Sequence, residues 1–236
     1  MHYTFIMDSH YINHSKFYQA IDCVIFGFDL ERLKLLLIHR DFEPQKGKYS
    51  LMGGFLNENE DMDSGAARIL DKLTGLEDVY LEQLKTYSMV NRDPAARVIS
   101  TAYYALIKIE ESDEEKTKDH GAEWFDINEI PELIFDHNSM VEQAFDIIRH
   151  KSRFHPIGFE LLPEKFTIPQ MQKLYEAINQ VKLDNANFRK KIISMDLLQK
   201  LNEKEKEGSK KGAFLYQFDK GKYDMLVNSG FLFEVK

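Results

Sequence analysis

The sequence predicts an α/β/α sandwich built on a mixed sheet, followed by a C-terminal winged helix-turn-helix domain. Branched apolar runs at 20–28 and 33–40 are bounded by turn residues, as in paired strands of a sheet. Two amphipathic helices, one through Arg68 and one over 139–150, each have one apolar side and would cover opposite faces of that sheet. Beyond residue 156 the pattern changes to helix, short turn, helix and a pair of strands.

The other elements of the first domain follow in chain order. Residues 1–16 show no clear period and are interpreted as an N-terminal arm. Strands are predicted over 81–90 and 96–109, with a further strand around Trp124. The charged run 110–119 is expected to be a solvated loop.

The second helix of this domain should begin at Asn138 or Ser139, because both residue types cap helix N-termini. Its apolar side is formed by Met140, Val141, Ala144, Phe145 and Ile148. Pro156 and Gly158 then break the regular pattern, so we expect one domain over 1–155 and a second over 156–236.

Composition limits the classes of function. The single cysteine, Cys23, excludes an internal disulfide and is expected to be a buried apolar residue. There is no run of eighteen apolar residues and no basic-then-apolar leader, so we expect a cytoplasmic protein without a membrane span.

Residues 1–151 hold 16 Lys and Arg against 28 Asp and Glu, whereas residues 152–236 hold 15 against 11. The asymmetry indicates that the second part approaches a polyanion, although ordinary surface variation explains the charges equally well.

Two helices open the C-terminal domain. The first is predicted to be capped by Thr167, with Pro169 in its first turn. Its apolar stripe consists of Ile168, Met171, Leu174, Tyr175 and Ile178. Asp184 caps the second helix. The core face of that helix is expected to hold Phe188, Ile192 and Ile193.

Two strands around a charged tip follow and predict a wing. The strands are expected within 195–201 and over 213–218, with the tip at 203–212, and a short helix and a last strand would close the domain. A helix that carries Asn, Arg and Lys after a short turn is the arrangement that places side chains in a major groove. The candidate DNA-contacting residues are Thr167, Asn185, Asn187, Arg189, Lys190, Lys191, Lys210 and Lys211. Among them Asn187 and Arg189 suit base edges, and the lysines suit phosphates. A small helical cap with a solvated basic face is the alternative.

The stretch from Gly53 to Leu76, here called the box, resembles the signature of the Nudix family. In that signature a glycine, a glutamate and an arginine stand at fixed spacing, and further glutamates follow the arginine. Six positions coincide, namely Gly54, Glu60, Arg68, Leu70, Gly75 and Leu76. The three glutamates expected after the arginine are replaced by Ile69, Lys72 and Leu73.

These replacements bear on catalysis. A helix that begins at Asp63 or Ser64 and ends before Gly75 places positions 69, 72 and 73 on one face, where active Nudix members hold Mg²⁺ with carboxylates. Glu60 is the remaining box carboxylate, and one carboxylate rarely assembles a metal site. We therefore predict no bound metal, no cofactor and no hydrolase activity. An active Nudix hydrolase acting on ADP-ribose-type substrates is the alternative.

Two further segments extend the resemblance and supply a candidate effector site. Residues 47–51 lead into the paired glycines, and the segment from Arg92 to Arg97 resembles the loop that ADP-ribose-type Nudix proteins place near their ligand. A plain turn at Asp93-Pro94, with Arg97 paired to a carboxylate, is the alternative. The candidate effector-binding residues are Arg40, Tyr49, Gly53, Gly54, Phe55, Arg92, Asp93 and Arg97.

From about Gln19 to its end the chain is similar to the Nudix-related transcriptional regulators, which join a Nudix-like effector domain to a winged helix. The segments that carry this similarity are LLPEKFTIPQMQKLYEAINQ, LDNANFRKKI and KKGAFLYQF. The resemblance implies a homodimeric repressor that binds near-palindromic operator DNA. It is closest to the arabinose-responsive members of a carbohydrate-utilisation branch, which implies L-arabinose as the effector.

The residues themselves leave the effector open. Loss of the metal site removes the counter-charge for a diphosphate and favours a neutral polyol, whereas Arg40, Arg92 and Arg97 suit phosphate or carboxylate. An ADP-ribose-responsive regulator is therefore an alternative, as is a ligand-binding module that acts through protein partners.

Overall fold

The structure is a computed structural model that describes residues 9–206, 212–231 and 233. Within these residues the first domain is built on a seven-stranded mixed sheet. Its strands are β1 (Tyr18–Phe28), β2 (Leu33–His39), β3 (Tyr49–Ser50), β4 (Met52–Phe55), β5 (Glu82–Tyr87), β6 (Val98–Lys108) and β7 (Ala122–Asp126). β1 and β6 run parallel in the centre, and the other pairs are antiparallel. The predicted strands are confirmed.

Side chains alternate across a strand, so β1 presents residues to both faces of the sheet, and both faces are buried. Val24 and Phe26 belong to one apolar cluster, and Ile21 and Cys23 belong to another on the opposite face. Helix α4 (His137–Phe154) covers the first cluster, and helix α2 (Met62–Thr74) covers the second. This arrangement confirms the α/β/α sandwich. A short helix, α1 (Ser9–Ile12), precedes the sheet.

Helix α2 begins two residues earlier than predicted. Its N-cap is Asp61, whose carboxylate accepts a hydrogen bond from the Ser64 N–H at 2.8 Å, so neither Asp63 nor Ser64 is the cap. Asp63 instead accepts a hydrogen bond from the Tyr103 hydroxyl at 2.6 Å. Gly75 ends the helix in the left-handed conformation that glycine adopts without strain, as predicted.

Helix α4 also begins before the predicted cap residues. Asp136 precedes its first turn, and Asn138 accepts a hydrogen bond from the Leu133 N–H at 2.9 Å. The predicted apolar side is confirmed, with Met140, Val141, Ala144 and Ile148 buried and Phe145 partly buried against the first cluster.

The charged run 110–119 forms helix α3 (Glu111–Asp119), so the prediction of a loop is wrong. The Glu110 N–H donates to the Asp113 carboxylate at 3.1 Å, which satisfies a backbone donor at the helix start. Acidic residues occupy the first turn, and Lys116 and Lys118 lie in the last turn, where they complement the helix dipole. The helix is stabilised by the order of the charges along the run, acidic first and basic last, and the composition of the run does not show that order.

The C-terminal domain is a winged helix-turn-helix, as predicted. After a 3-10 turn (Phe159–Leu161) it comprises β8 (Phe166–Thr167), α5 (Ile168–Asn179), α6 (Asn185–Ser194), β9 (Leu198–Glu205), β10 (Ala213–Phe218) and α7 (Lys220–Asn228). β9 and β10 pair antiparallel to form the wing, and β8 pairs with the other edge of β10. A last strand is predicted here, but Phe231 and Phe233 do not form one. The rest of that segment lies outside the described residues.

The predicted helix caps of this domain are confirmed, and the predicted burial of one residue, Ile193, is wrong. Thr167 and Asp184 accept from the N–H groups of the first turns of α5 and α6. The apolar stripe of α5 is buried, as are Phe188 and Ile192 on α6. Ile193 is 43% exposed, because five residues rotate it roughly 140° from Phe188 on a helix. The apolar core continues from α4 into α5, and a boundary at 155/156 stays a prediction.

Candidate functional site

The box helix α2 carries no carboxylate at the three replaced positions. Ile69 is buried beneath Gly54, where a Cβ atom would lie 3.1 Å from the Ile69 Cδ1. Lys72 is exposed, and Leu73 contributes to the wall of a cavity. The three positions lie on one side of the helix, as predicted, but Ile69 and Leu73 pack inwards and Lys72 remains in solvent.

The remaining box carboxylate is held by an arginine. Arg68 Nε donates to Glu60 Oε2 at 2.7 Å, and this hydrogen bonding lowers the pKa of Glu60 to about 2. Mg²⁺ prefers several oxygen ligands, which positions 69, 72 and 73 do not supply, so these residues do not fit the metal of Nudix catalysis. In the described part of the chain, no three His, Cys, Asp or Glu side chains are grouped as a metal site.

A cavity of about 180 Å³ lies over β1 and β4, beside the first turn of α4. Apolar side chains from four segments form much of its wall, namely Leu51, Leu73, Val98, Ile134 and Phe135. A wider groove of about 770 Å³ runs along β5 and the end of β6. In this groove Lys151 and Glu82 already pair with each other, since Lys151 Nζ lies 2.6 Å from Glu82 Oε1. We place the functional site in the smaller cavity, because buried polar atoms converge there.

The floor of the cavity is a buried polar network centred on Arg92. Arg92 donates twice to Asp136, from Nε to Oδ2 at 3.0 Å and from Nη2 to Oδ1 at 2.7 Å. Its Nη2 also lies 3.5 Å from Asp22 Oδ2, which accepts a hydrogen bond from the Ser100 hydroxyl at 2.6 Å. The Asp22 and Arg92 side chains are 8% and 3% exposed. Charges buried this deeply persist because each has a partner.

His137 joins this network from the first turn of α4. The Leu51 N–H donates to His137 Nδ1 at 3.2 Å, so the neutral ring carries its proton on Nε2, which lies 3.6 Å from Asp22 Oδ1. Burial lowers the pKa of His137, and the nearby Asp22 carboxylate opposes that shift only in part. The imidazole is therefore neutral at pH 7.

The paired glycines of the box have separate steric roles. Gly53 lies opposite Asp22 in the β1–β4 register, and a Cβ atom on Gly53 would lie 2.5 Å from Asp22 Oδ1. Gly54 provides the room for Ile69. An alanine at position 53 would thus occupy the space in front of the carboxylate.

Six of the eight predicted effector-binding residues line the cavity. They are Arg40, Gly53, Gly54, Phe55, Arg92 and Asp93. Tyr49 lies outside it, since its ring packs against His39 and Phe125 with centroid distances of 4.4 and 4.9 Å. Arg97 also lies outside, because its Nη1 donates to the Met89 carbonyl at 3.2 Å and its guanidinium lies over the Phe17 ring.

Four residues of the network escape prediction from the sequence, namely Asp22, Ser100, Asp136 and His137. Asp22 carries the one usable signal, because a carboxylate within the apolar run 20–28 needs a buried partner. The other three lie on distant segments, and only the fold brings them to Asp22.

Helices α5 and α6 are locked together across their turn. Gln172 Nε2 on α5 donates to the Leu183 carbonyl at 2.9 Å and to Asn185 Oδ1 at 2.7 Å. Arg189 Nη2 on α6 donates to the Tyr216 hydroxyl at 3.3 Å, which ties α6 to the wing strand β10. These contacts fix the orientation of α6, as a helix that enters a groove requires.

The predicted DNA-contacting residues divide into four groups. Asn187, Arg189, Lys190 and Lys191 are exposed on α6. Thr167 is buried, and its hydroxyl accepts a hydrogen bond from the Gln170 N–H at 3.3 Å as the N-cap of α5, so its side chain is not presented at the surface. Asn185 is exposed, but its Oδ1 is occupied by Gln172. Lys210 and Lys211 lie outside the described residues.

The wing supplies two further cations that the sequence did not single out. Lys200 and Lys204 on β9 hold their ammonium groups 3.8 and 4.5 Å from the centroid of the Phe214 ring. Both side chains are exposed on the wing, so their ammonium groups are available to phosphate oxygens.

Helix α4 connects the cavity to the C-terminal domain. His137 in its first turn lines the cavity. Near its other end, Arg149 Nε donates to the Ile178 carbonyl on α5 at 3.4 Å, and Asn179 Nδ2 lies 3.5 Å from the Ser152 hydroxyl. A displacement at the cavity can therefore reach α5 through one continuous helix.

Comparison with known proteins gives two family matches. Residues 16–144 match the NUDIX domain, and residues 158–218 match the NrtR DNA-binding winged helix domain. The chain is 31% identical to the ADPR responsive transcriptional repressor NtrR of Acinetobacter baylyi, over 87% of this chain and 83% of the relative. It is 34% identical to the ADP-ribose pyrophosphatase of Methanocaldococcus jannaschii, over 50% of this chain and 68% of that enzyme.

The fold is also shared with a protein of known structure, NrtR of Shewanella oneidensis. Its complex with a 27mer DNA gives a TM-score of 0.70 at 27% identity, covering 85% of this chain and 93% of that chain. Its NUDIX domain complexed with ADP ribose gives a TM-score of 0.50 at 26% identity, covering 59% of this chain and 92% of that one. In the part of the chain that the structure describes, no helix has the length and apolarity to cross a membrane.

Proposed function

Because the chain belongs to the Nudix family and carries a winged helix domain of the NrtR DNA-binding type, we propose that effector binding in its first domain alters operator binding by its second. The chain is a DNA-binding transcriptional regulator with a Nudix effector domain. The observation that supports the proposal best is the buried polar cavity, which lies at the start of the helix that reaches the winged helix domain.

ADP-ribose is the proposed effector. The regulator from Acinetobacter baylyi responds to it, and the NUDIX domain from Shewanella oneidensis was crystallised with it. A cavity of about 180 Å³ is smaller than the roughly 300–1,000 Å³ typical for drug-sized ligands, so it would enclose one end of such a molecule. Arg40, whose guanidinium lies 3.8 Å from the centroid of the Phe42 ring, would face the phosphates of the remainder at the cavity wall.

A free pentose, L-arabinose in particular, is the second candidate. The small volume of the cavity favours it, and so does the charge of the network, in which Asp22 and Asp136 outnumber Arg92. A neutral polyol meets no repulsion from that excess negative charge.

We further propose that the chain is not a hydrolase. The replacement of the three glutamates and the engagement of Glu60 by Arg68 support this proposal, and the pyrophosphatase relative is the reason to test it. A homodimer on a near-palindromic operator is likewise proposed, and sedimentation of the protein with and without a duplex would measure its stoichiometry.

Titration of a labelled operator fragment, selected from genomic DNA by the protein itself, tests the regulatory function. We expect the midpoint of DNA binding to shift when ADP-ribose is present, or when L-arabinose is present if the second candidate is right. ADP-glucose and D-glucose serve as controls for the diphosphate and for a generic sugar. Operator binding that responds to neither proposed effector would contradict the proposal.

Helix α4 gives this coupling a separate test. Arg149→Ala removes the hydrogen bond to the Ile178 carbonyl without touching the cavity. Effector affinity should be unchanged, whereas the effector-induced shift in operator binding should shrink. Arg153→Ala, an exposed arginine on the same helix, is the matched control and should leave the shift intact.

A further inference from the structure

The cavity presents two polar atoms that the network leaves open. Asp22 Oδ2 is engaged by Ser100, whereas Oδ1 accepts no hydrogen bond within the described residues and lies 3.6 Å from His137 Nε2, beyond hydrogen-bond distance. Arg92 uses Nε and Nη2 for its carboxylate partners, and its Nη1 makes no hydrogen bond within the described residues. Asp22 and Arg92 both line the cavity, so the acceptor and the donor that the network leaves open are available to a ligand there.

The chemistry of these two atoms selects a ligand class. A hydroxyl both donates and accepts, so one or two adjacent hydroxyls satisfy an acceptor and a donor together. A phosphate or diphosphate at pH 7 offers acceptors and negative charge. The network comprises two carboxylates, one guanidinium and a neutral imidazole, and two further charges in the cavity wall, Arg40 and Asp93, are of opposite sign. The site therefore bears excess negative charge and disfavours an anion beside Oδ1.

We propose that Asp22 is the specificity-determining residue of the effector site, accepting a hydrogen bond at Oδ1 from a hydroxyl of a pentose ring while Arg92 Nη1 donates to the same or the adjacent hydroxyl. The proposal rests on the effector function of this cavity and says which part of the effector the cavity binds. The ring is the terminal ribose of ADP-ribose or a free pentose, and the recognition chemistry is the same for both. Gly53 has a defined role in it, because a Cβ atom there would obstruct Oδ1.

Calorimetry with the full-length protein tests the assignment through an isosteric substitution. In Asp22→Asn the amide oxygen can keep the Ser100 hydrogen bond, which leaves an NH₂ group where Oδ1 accepts. Affinity for ADP-ribose or L-arabinose, whichever binds the wild type, should fall about tenfold to a hundredfold. Asp71→Asn makes the same chemical change on the exposed side of α2 and should bind as the wild type does.

A ligand series on the wild-type protein covers the case in which Asp22→Asn does not fold. ADP lacks the terminal ribose of ADP-ribose, and 2-deoxy-L-ribose is L-arabinose without its 2-hydroxyl. ADP should bind at least about tenfold more weakly than ADP-ribose if the nucleotide is the effector, because the buried donor and acceptor are then left unpaired. The deoxy sugar should lose as much relative to L-arabinose if the free pentose is the effector.

The outcomes separate this inference from the function beneath it. Operator binding that still responds to the effector, with Asp22→Asn and the truncated ligand each within twofold of their references, would overturn the pentose assignment and leave the regulatory function standing. No binding of either effector by the wild type would overturn both.

Discussion

Replacing Arg92 by methionine should destabilise the first domain far more than the same change at Arg97. Methionine keeps much of the side-chain length but removes the cation that two buried carboxylates share. Removing one partner of a buried ion pair costs about 3–5 kcal/mol, because the charge left behind is uncompensated. The Asp136 side chain is 20% exposed and can recruit water, which places the expected loss at about 3 kcal/mol.

This loss is measurable by thermal unfolding. For a domain of this size, 1 kcal/mol corresponds to roughly 2–4 °C, so the midpoint should fall by roughly 6–12 °C. Arg97→Met is the matched control from the same loop. Its arginine makes one surface hydrogen bond and one ring contact, so the expected cost is at most about 1 kcal/mol.

A double variant separates the uncompensated charge from lost packing. Asp136→Asn in the Arg92→Met background removes one unpaired carboxylate and should restore part of the stability. Equal midpoints for Arg92→Met and Arg97→Met would refute the assignment of Arg92 as the centre of a buried network. A double variant less stable than Arg92→Met would show that packing, and not charge, accounts for the loss.

Three further predictions concern catalysis, DNA and pH. Incubation with ADP-ribose and Mg²⁺ should release no AMP above a buffer control; turnover that Glu60→Gln abolishes would show a working hydrolase. Arg189→Ala should cost roughly 1–3 kcal/mol on the operator and spare non-specific DNA, whereas Lys190→Ala should weaken binding to every sequence and reduce the salt slope by about one; an Arg189→Ala protein with full operator affinity would exclude α6 from base recognition. Because burial lowers the pKa of His137 from 6.5, the unfolded state takes up its proton first, so stability should be lost as pH falls below about 6.5. His137→Gln should remove that part of the pH dependence in urea unfolding, and identical profiles for both proteins would contradict it.

The fold was predictable because its elements follow strong local signals. Branched apolar runs bounded by turn residues defined the strands, and Thr167 and Asp184 marked helix starts that the structure confirms. The failures were also local. At Asp61 and Asp136 the caps precede the predicted residues, since several capping side chains stand in a row and the sequence does not choose among them.

The cavity was predictable in outline and not in its chemistry. The box and the loop at Arg92 both line the cavity, and they could be singled out because their resemblance to a known family concerns contiguous segments. Asp22, Ser100 and His137 meet through a parallel β1–β6 pairing and the packing of α4 on the sheet. Long-range contacts of this kind have no signature in one sequence. A polar residue in an apolar strand, as at Asp22, is the exception, because its burial must be compensated.

Conversion of the box helix from a metal platform to a core element suits a sensor better than an enzyme. Ile69 packs beneath Gly54 and Leu73 closes the cavity wall, so two of the three positions that would hold a metal contribute apolar contacts, while Lys72 stays in solvent. A sensor must release its ligand unchanged, and its response depends on the difference in affinity between two states of the protein. The Asp22 network can provide such a difference, because His137 belongs both to the network and to the first turn of α4. A ligand hydroxyl that draws Asp22 Oδ1 away from His137 would change the contacts of that turn, and α4 carries the change to Ile178 on α5. An enzyme uses binding energy to stabilise a transition state. In this protein the binding energy of the effector would instead change the orientation of the DNA-binding domain.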